Sequence, residues 1–341
     1  VLIYFYRKEE ILMKVGKLNW DDLKNIIDDS RGAIRNDVRI RSGIGEDCSV
    51  IDFGEYECVV STDPITGAEK NSGKLAVNIN CNDIASAGVE PLGILVTILA
   101  PEGSSLEDIK SVMKEIGEET KKLNVEILGG HTEITRAVNK MVISCTVIGK
   151  GLKNKSIATS GAKENDDIIV TKLLCLEGTG IVVNDHEDKI KGILTHEEIA
   201  EAKTYLNSLS VVREGAIAGK FGVNSMHDIT EGGVLGALWE VAKASNLGFR
   251  VYKEKMPISH VTEKICKKYS IDPLRLISSG SMLITTKNGD KLIGVLKEEG
   301  IEASIIGKIV KQKGVLIEGN IEKEVLPPER DELFVLEERI M

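Results

Sequence analysis

Lys74-Leu75-Ala76-Val77-Asn78-Ile79-Asn80-Cys81-Asn82-Asp83-Ile84-Ala85-Ser86-Ala87 is the stretch on which the fold turns. Read with a period of two, Val77, Ile79 and Cys81 alternate with Asn78, Asn80 and Asn82, as in a half-buried strand. Read with the helical period, Ala76, Ile79, Asp83, Ile84 and Ala87 share one face. Fourteen residues without Gly or Pro are long for a strand, so the spacing predicts a helix. Asn80 and Asp83 then lie one turn apart, on or beside the apolar face. A buried carboxylate without a partner is costly, and a divalent cation is a natural partner for Asp83.

Outward from this helix, Trp20–Ser30 reads as a short helix, and Glu57–Ser61 as a strand ending in Thr62-Asp63-Pro64. Leu92–Leu99 is a nearly continuous apolar strand, and Leu106–Leu123 an amphipathic helix. Val125–Leu128 and Met141–Ile148 complete a first set of strands. The polar run after Gly149-Lys150-Gly151 is the best boundary, giving domains at 13–155 and 156–341. The second half reads as strands at Ile168–Thr171, Ser281–Thr286 and Ala303–Val310. Its helices are placed at His196–Leu206, Val211–Phe221, Val234–Ser245 and Lys291–Glu299, and Pro327-Pro328 opens a charged tail. The fold class is α/β (α+β), with two domains. Residues 1–12 are expected to be an upstream extension, with Met13 a more usual opening.

The 341 residues carry 44 Lys+Arg against 53 Asp+Glu, a net charge of -9. A general nucleic-acid binder needs basic surface, so that class is excluded, and 4% aromatics leave little for base stacking. No run approaches the ~20 apolar residues of a membrane span. The six cysteines are scattered without a C-x-x-C pair and read as free thiols in a reducing, cytoplasmic setting.

The chemistry-bearing residues lie on turns. Gly43-Ile44-Gly45-Glu46-Asp47 is a flexible loop with two carboxylates, and Asp63 sits at a strand end. Each acid, taken singly, reads better as a turn residue, a cap or a solvated surface group than as part of a site. Gly129-Gly130-His131-Thr132-Glu133 follows an apolar strand; it is either an anion-binding turn or a plain β-turn. His227-Asp228-Ile229-Thr230-Glu231-Gly232-Gly233 leads into a helix with Thr230 as the expected N-cap, and that helix start either caps alone or holds an anion. P-loop and G-x-G-x-x-G signatures are absent, and the zinc patterns are incomplete.

In order and spacing, these segments resemble the AIR synthase-related family: aminoimidazole ribonucleotide synthetase (PurM), hydrogenase maturation factor HypE, thiamine-monophosphate kinase and selenophosphate synthetase. Gly45-Glu46-Asp47-Cys48-Ser49-Val50 is similar to the family's Gly-Asp-Asp-Ala-Ala-Val loop, and Ser61-Thr62-Asp63 to its Ser-Thr-Asp. Asn82-Asp83-Ile84-Ala85-Ser86-Ala87-Gly88 resembles its Asn-Asp-Ile-Ala helix. Gly129-Gly130-His131-Thr132 resembles its Gly-Gly-acid-Thr turn, and His227-Asp228 through Gly233 the His-Asp-x-Thr-Arg-Gly-Gly of HypE. The layout most resembles HypE.

The resemblance implies a PurM-like homodimer joined through its N-terminal mixed sheets. It also implies an ATP- and Mg²⁺-dependent phosphorylation or dehydration of a small acceptor carrying an amide-type oxygen. Carried over by motif, Asp47, Asp63 and Asp83 would hold Mg²⁺. Gly43, Gly45, Asp47, Thr62, Lys74, Asn82, Gly129, Gly130, His131 and Thr132 would line the nucleotide. Asp83, His227, Asp228 and Glu231 would be catalytic, facing the acceptor. Three departures stand out: Glu46 for the loop's first Asp, His131 for an acid that Glu133 could replace, and Glu231 for the Arg of HypE. The HypE C-terminal Cys is also absent, the sequence ending Arg339-Ile340-Met341. These departures motivate an alternative, a nucleotide-binding scaffold or maturation partner without its own catalysis. Thiamine-monophosphate kinase is a further family activity.

Overall fold

The computed structural model describes residues 16–30, 32–66, 70–328 and 330–340. The expected extension at 1–12 lies outside the described residues. The first half runs α1 (Trp20–Asp29), β1 (Val38–Ile40), β2 (Ser49–Asp52), β3 (Tyr56–Ile65), α2 (Ser72–Ser86), β4 (Pro91–Pro101), α3 (Leu106–Leu123), β5 (Glu126–Thr135) and β6 (Val142–Leu152). The second runs β7 (Asp167–Thr171), α4 (Leu176–Asp185), α5 (Glu187–Ile190), α6 (His196–Lys203), α7 (Val212–Phe221), β8 (Ser225–Asp228), α8 (Gly233–Ala244) and β9 (Gly248–Tyr252). It continues with α9 (His260–Tyr269), β10 (Met282–Thr286), α10 (Gly289–Glu298), β11 (Ala303–Val310), β12 (Val315–Glu318), β13 (Ile321–Glu324) and α11 (Glu332–Ile340).

Two mixed sheets result. The first has the order β1-β2-β3-β6-β4-β5, with β4 and β5 parallel and the other neighbours antiparallel. The second has the order β13-β12-β9-β11-β7-β10-β8, parallel only between β12 and β9. The helical reading of 74–87 is correct, and α2 is the spine of the molecule. Thirteen of its fifteen residues are buried. It packs on α3, β3 and β6 of its own half and on α7 and β8 of the other. A helix buried on every side has no polar stripe, which is why its sequence offered a strand period as well.

Four expectations need correction. Thr62-Asp63-Pro64 does not end the strand; β3 continues to Ile65. There β2 has left it, because β2 pairs only with Glu57–Val60, so Pro64 sits where β3 keeps a single neighbour, β6, the kind of edge position in which a strand tolerates proline. Gly129-Gly130 is no turn, because β5 continues through it after an irregularity in the pairing at Leu128. The two strands approach so closely that a Cβ at Gly130 would fall 1.8 Å from Val96 O, and its φ is +152°. The segment after Pro327-Pro328 is not a loose charged tail: α11 buries Leu333, Leu336 and Ile340. The helix expected at His196–Leu206 stops at Lys203 and passes into a 3₁₀ turn at Tyr205–Asn207.

All six cysteines are free thiols, and among the described residues no helix is long and apolar enough to cross a membrane.

Candidate active site at the seam between the sheets

The loop ahead of β2 reaches across the seam. Gly45 has φ +77°, and a Cβ there would come within 3.1 Å of the Cβ and carbonyl oxygen of Glu240 on α8. This close approach brings Asp47 against the end of β8. Asp47 Oδ1 lies 2.7 Å from His227 Nδ1, and His227 Nε2 is 2.5 Å from Glu240 Oε2. The first contact is out of hydrogen-bond alignment, since His227 Nδ1 has no such partner. Burial alone would lower the His227 pKa, but Asp47 and Glu240 outweigh it and hold the imidazole well above its ordinary range.

Ligand atoms of Asp47, His227 and Asp228 all lie within 4.8 Å of one another. Asp47 Oδ2 and Asp228 Oδ2 are buried without a hydrogen-bond partner. Burial, then the charge of Asp47, pushes the Asp228 carboxyl up to about 8, although His227 opposes the shift. Asp83, on α2, accepts from Ser61 Oγ at 2.6 Å. Its pKa is driven well up by burial and then by Asp228, Asp63 and Asp47, which lie within electrostatic reach of it. Asp63 is likewise raised, by burial first; Lys17 opposes and Asp47 adds to the shift. Its backbone is fixed from α2, with Asp63 N donating to Asn80 Oδ1 at 2.8 Å. Glu231 is raised by burial, against Lys17 and with Asp63 and Glu240.

Carboxylates gathered this closely, with orphaned oxygens, repel one another unless protonated or bridged by a cation. The oxygen donors fit a hard divalent ion such as Mg²⁺. The imidazole, held positive between two acids, adds charge compensation rather than a ligand.

Other residues singled out in the sequence have different surroundings. Glu46 accepts from Thr159 N and Ser160 N, both at 3.0 Å, and so clamps the second half instead of joining the acids. The Asn82 side chain is committed to Leu209 O and Val211 N. Lys74 Nζ donates to Asn207 Oδ1 at 2.6 Å. Gly43 O accepts from Glu46 N and closes the loop's turn. Gly130 shares one row of the sheet with Asp63, through Val96 and Cys145. Three strand spacings put them roughly 14 Å apart. Gly129 and Thr132 flank it on the same exposed strand. Thr62 and His131 alternate with Asp63 and Gly130 and so point to the opposite face of that sheet. The Thr62 hydroxyl donates to Cys145 O, and His131 Nε2 lies 3.1 Å from Glu133 Oε2 on the exposed strand. Thr230 is not the N-cap of α8; Gly232 is, with φ +85°. The Gly232 N–H is already used by Asp331 Oδ2 at 2.6 Å.

The sequence reading missed Glu240 and Lys17. A lone acid within Val234-Leu235-Gly236-Ala237-Leu238-Trp239-Glu240-Val241 was a usable signal for the first. Nothing marked Lys17. Burial would lower its pKa, yet Glu240, Glu231, Asp63 and Asp228 together raise it above its ordinary value. Lys17 itself is exposed to solvent.

Residues 45–150 match the AIR synthase related protein N-terminal domain, and residues 163–319 the C-terminal domain of the same description. A putative hydrogenase expression/formation protein of Methanocaldococcus jannaschii is 31% identical over 305 residues, 84% of this chain and 88% of that protein. Carbamoyl dehydratase HypE of Bradyrhizobium diazoefficiens is 26% identical over 78% of each chain. Among solved structures, HypE in the HypE-HypF complex superposes with a TM-score of 0.70 at 22% identity, covering 84% of this chain and 94% of that one. HypE in complex with ATP gives 0.68 at 20% identity, covering 93% and 92%. AaThiL, complexed with AMPPCP and TMP, gives 0.71 at 18%, covering 91% and 94%. The chain belongs to the AIR synthase related family.

Proposed function

We propose that this member of the AIR synthase related family is a HypE-like, cytoplasmic enzyme. In this reading it uses ATP and Mg²⁺ to phosphorylate, and so activate for dehydration, the amide-type oxygen of a small acceptor. The observation that carries the reading is the pair of orphaned, buried carboxylate oxygens on Asp47 and Asp228, one from each half of the molecule. The carbamoyl dehydratase relative and the ATP-bound fold neighbour support it.

Asp47, Asp63 and Asp83, joined by Asp228, would hold the cation. When bound, Mg²⁺ would neutralise charge on the transferring phosphoryl group. His227, kept protonated by Asp47 and Glu240, fixes the Asp47 carboxylate and offsets its charge. Ser61 orients Asp83, and Asn80 holds the Asp63 backbone. Glu231 would face the acceptor. The glycines of β5 leave one side of the first sheet open to a nucleotide, which would span from that strand to the acids. The opposite face of that sheet exposes Leu92 and Leu95. A second copy covering it would give a homodimer, and a maturation partner, as in the HypE-HypF complex, is a second candidate there.

The test is ADP release from Mg-ATP with carbamoylated or other amide-bearing acceptors, beside calorimetric titration of nucleotide. Acceptor-dependent ADP release supports the reading. Nucleotide binding without it would mark a non-catalytic maturation partner, and no binding at all would sink both.

A further inference from the structure

The turn that carries Glu231 is loosely built from within. Asp228 is held by the ladder between β8 and β10, opposite Met282, and Ile229 N donates to Ser281 O at 3.0 Å. Beyond Ile229 the chain leaves the sheet. Gly232 and Gly233 follow Glu231 with φ +85° and +61°, and the turn closes on itself through Gly233 N donating to Thr230 O at 3.1 Å. Two successive glycines leave such a turn free to take other shapes. What fixes it comes from α11. Asp331, buried just ahead of that helix, accepts from Gly232 N at 2.6 Å through Oδ2. Its other oxygen accepts from Leu333 N at 2.7 Å, as an N-cap does, and from Ile277 N at 3.2 Å. Among the described residues, this carboxylate makes the one side-chain hydrogen bond to the main chain of residues 229–233. Pro328 closes the same turn sterically, since a Cβ at Gly232 would fall 2.9 Å from the Pro328 Cβ. The helix behind this contact is well seated: it buries Leu333, Leu336 and Ile340, and Arg339 donates to Ser270 O at 2.8 Å.

We propose that Asp331 is a positioning residue of the site: by bridging the head of α11 to Gly232, it holds the turn that presents Glu231 to the acceptor. This inference rests on the proposed function, in which Glu231 faces the acceptor. A carboxylate suits the task because it has two accepting oxygens, one to cap α11 and one to reach the turn. Hydrogen bonds to a charged acceptor are also stronger than neutral ones. The acids assigned to the cation have other supports. Asp83 is held by Ser61, the Asp63 backbone by Asn80, and Asp228 by its ladder. The Asp331 bridge therefore bears on the acceptor and not on the metal or the nucleotide.

The test compares wild type, Asp331→Asn and Leu336→Ala in the full chain. Asparagine keeps one oxygen to cap α11, but its amide nitrogen cannot accept from the Gly232 N–H. Leu336→Ala loosens the seating of α11 without touching the bridge, and so controls for lost stability. ADP release is measured with Mg-ATP and S-carbamoyl-N-acetylcysteine, nucleotide binding by calorimetry with Mg-AMPPCP, and amide exchange by mass spectrometry over residues 229–236. In Asp331→Asn the acceptor KM is expected to rise about tenfold, the worth of one hydrogen bond to a charged group, with Mg-AMPPCP affinity within about twofold of wild type. Exchange over residues 229–236 should quicken by about the same factor, while that over α2 stays unchanged. Leu336→Ala should melt earlier and keep the wild-type acceptor KM. A selective rise in acceptor KM with faster exchange in the turn supports the proposal. Unchanged KM, unchanged exchange in the turn, parallel loss of both ligands, or an equal KM rise in Leu336→Ala overturns it alone. Wild type that releases no ADP with this acceptor overturns the functional reading together with it.

Discussion

Asn82 on α2 and Val211 at the head of α7 are joined by a buried hydrogen bond, Val211 N donating to Asn82 Oδ1 at 2.8 Å. The same side chain donates through Nδ2 to Leu209 O at 2.8 Å. One amide therefore ties the first sheet's helix to the second half, beside the helix turn that carries Asp83. Asn82→Ala strands a buried N–H and a buried C=O. The expected cost is about 2–4 kcal/mol, read as a fall in the urea midpoint.

Glu46 belongs to the same seam. Its two carboxylate oxygens serve Thr159 N and Ser160 N, a span that an aspartate is one methylene too short to keep. Glu46→Asp, which restores the family's residue, is expected to lose about 1–2 kcal/mol of stability. Cation affinity should be unchanged, and a large drop in it would place Glu46 among the ligands after all.

Asp228 carries an opposite expectation. Its carboxyl is raised to about 8 because the folded site resists its charge. Asp228→Asn should therefore raise the melting temperature of the metal-free protein at alkaline pH, while, on the proposed function, removing the stabilisation that Mg²⁺ and ATP would give wild type. Turnover should fall on the order of 100-fold or more, as when a fixed electrostatic partner of the reacting group is lost. Thermal scans with and without ligand check the first two effects and ADP assays the third.

A pH effect is expected away from the acids of the seam. Burial lifts Glu177 to about 7 from an ordinary 4.5, although Ser279 opposes the shift. The native state thus keeps a proton that the unfolded chain has released. The associated stability is complete below about pH 4.5, Glu177's unfolded value, and is lost as pH rises through about 7. Asp331, at about 6 chiefly through burial, slopes the same way. Glu177→Gln should flatten the decline by on the order of 3 kcal/mol between those limits. Denaturation at a series of pH values measures it, and parallel curves for the two proteins would refute the assignment.

Gly130→Ala should be among the most damaging single-methyl changes. The added carbon would collide with Val96 O on the neighbouring strand. Unpairing β5 should cost about 3 kcal/mol or more, visible as rapid amide exchange along β4 and β5.

Much of the fold could be read from periodicity. The α3 helix matched the predicted Leu106–Leu123, and β11 the predicted Ala303–Val310, because each keeps a clear polar and apolar side or a clean apolar run. Two of the elements missed have a pattern set by long-range packing, whereas α9 (His260–Tyr269) was missed although it is amphipathic and opens behind the Ser259 cap. The α4 helix buries Leu176 through Val183 almost continuously, and the short β8 is buried at all four residues. The family motifs pointed to Asp47, Asp63, Asp83, His227 and Asp228, and the structure draws these together. Motifs could not tell that Glu46 and Asn82 have structural partners, because that depends on which main-chain groups the second half presents.

The division of the acids between the two sheets has a practical corollary. Asp47, Asp63 and Asp83 arrive with one polypeptide half, and His227, Asp228 and Glu231 with the other. Neither fragment alone owns a complete cradle. On the proposed function, two separately expressed pieces, cut in the connector between Leu152 and Thr159, should then find each other more avidly when magnesium and nucleotide are supplied, making ligand-driven reassembly a simple genetic selection for variants of this protein.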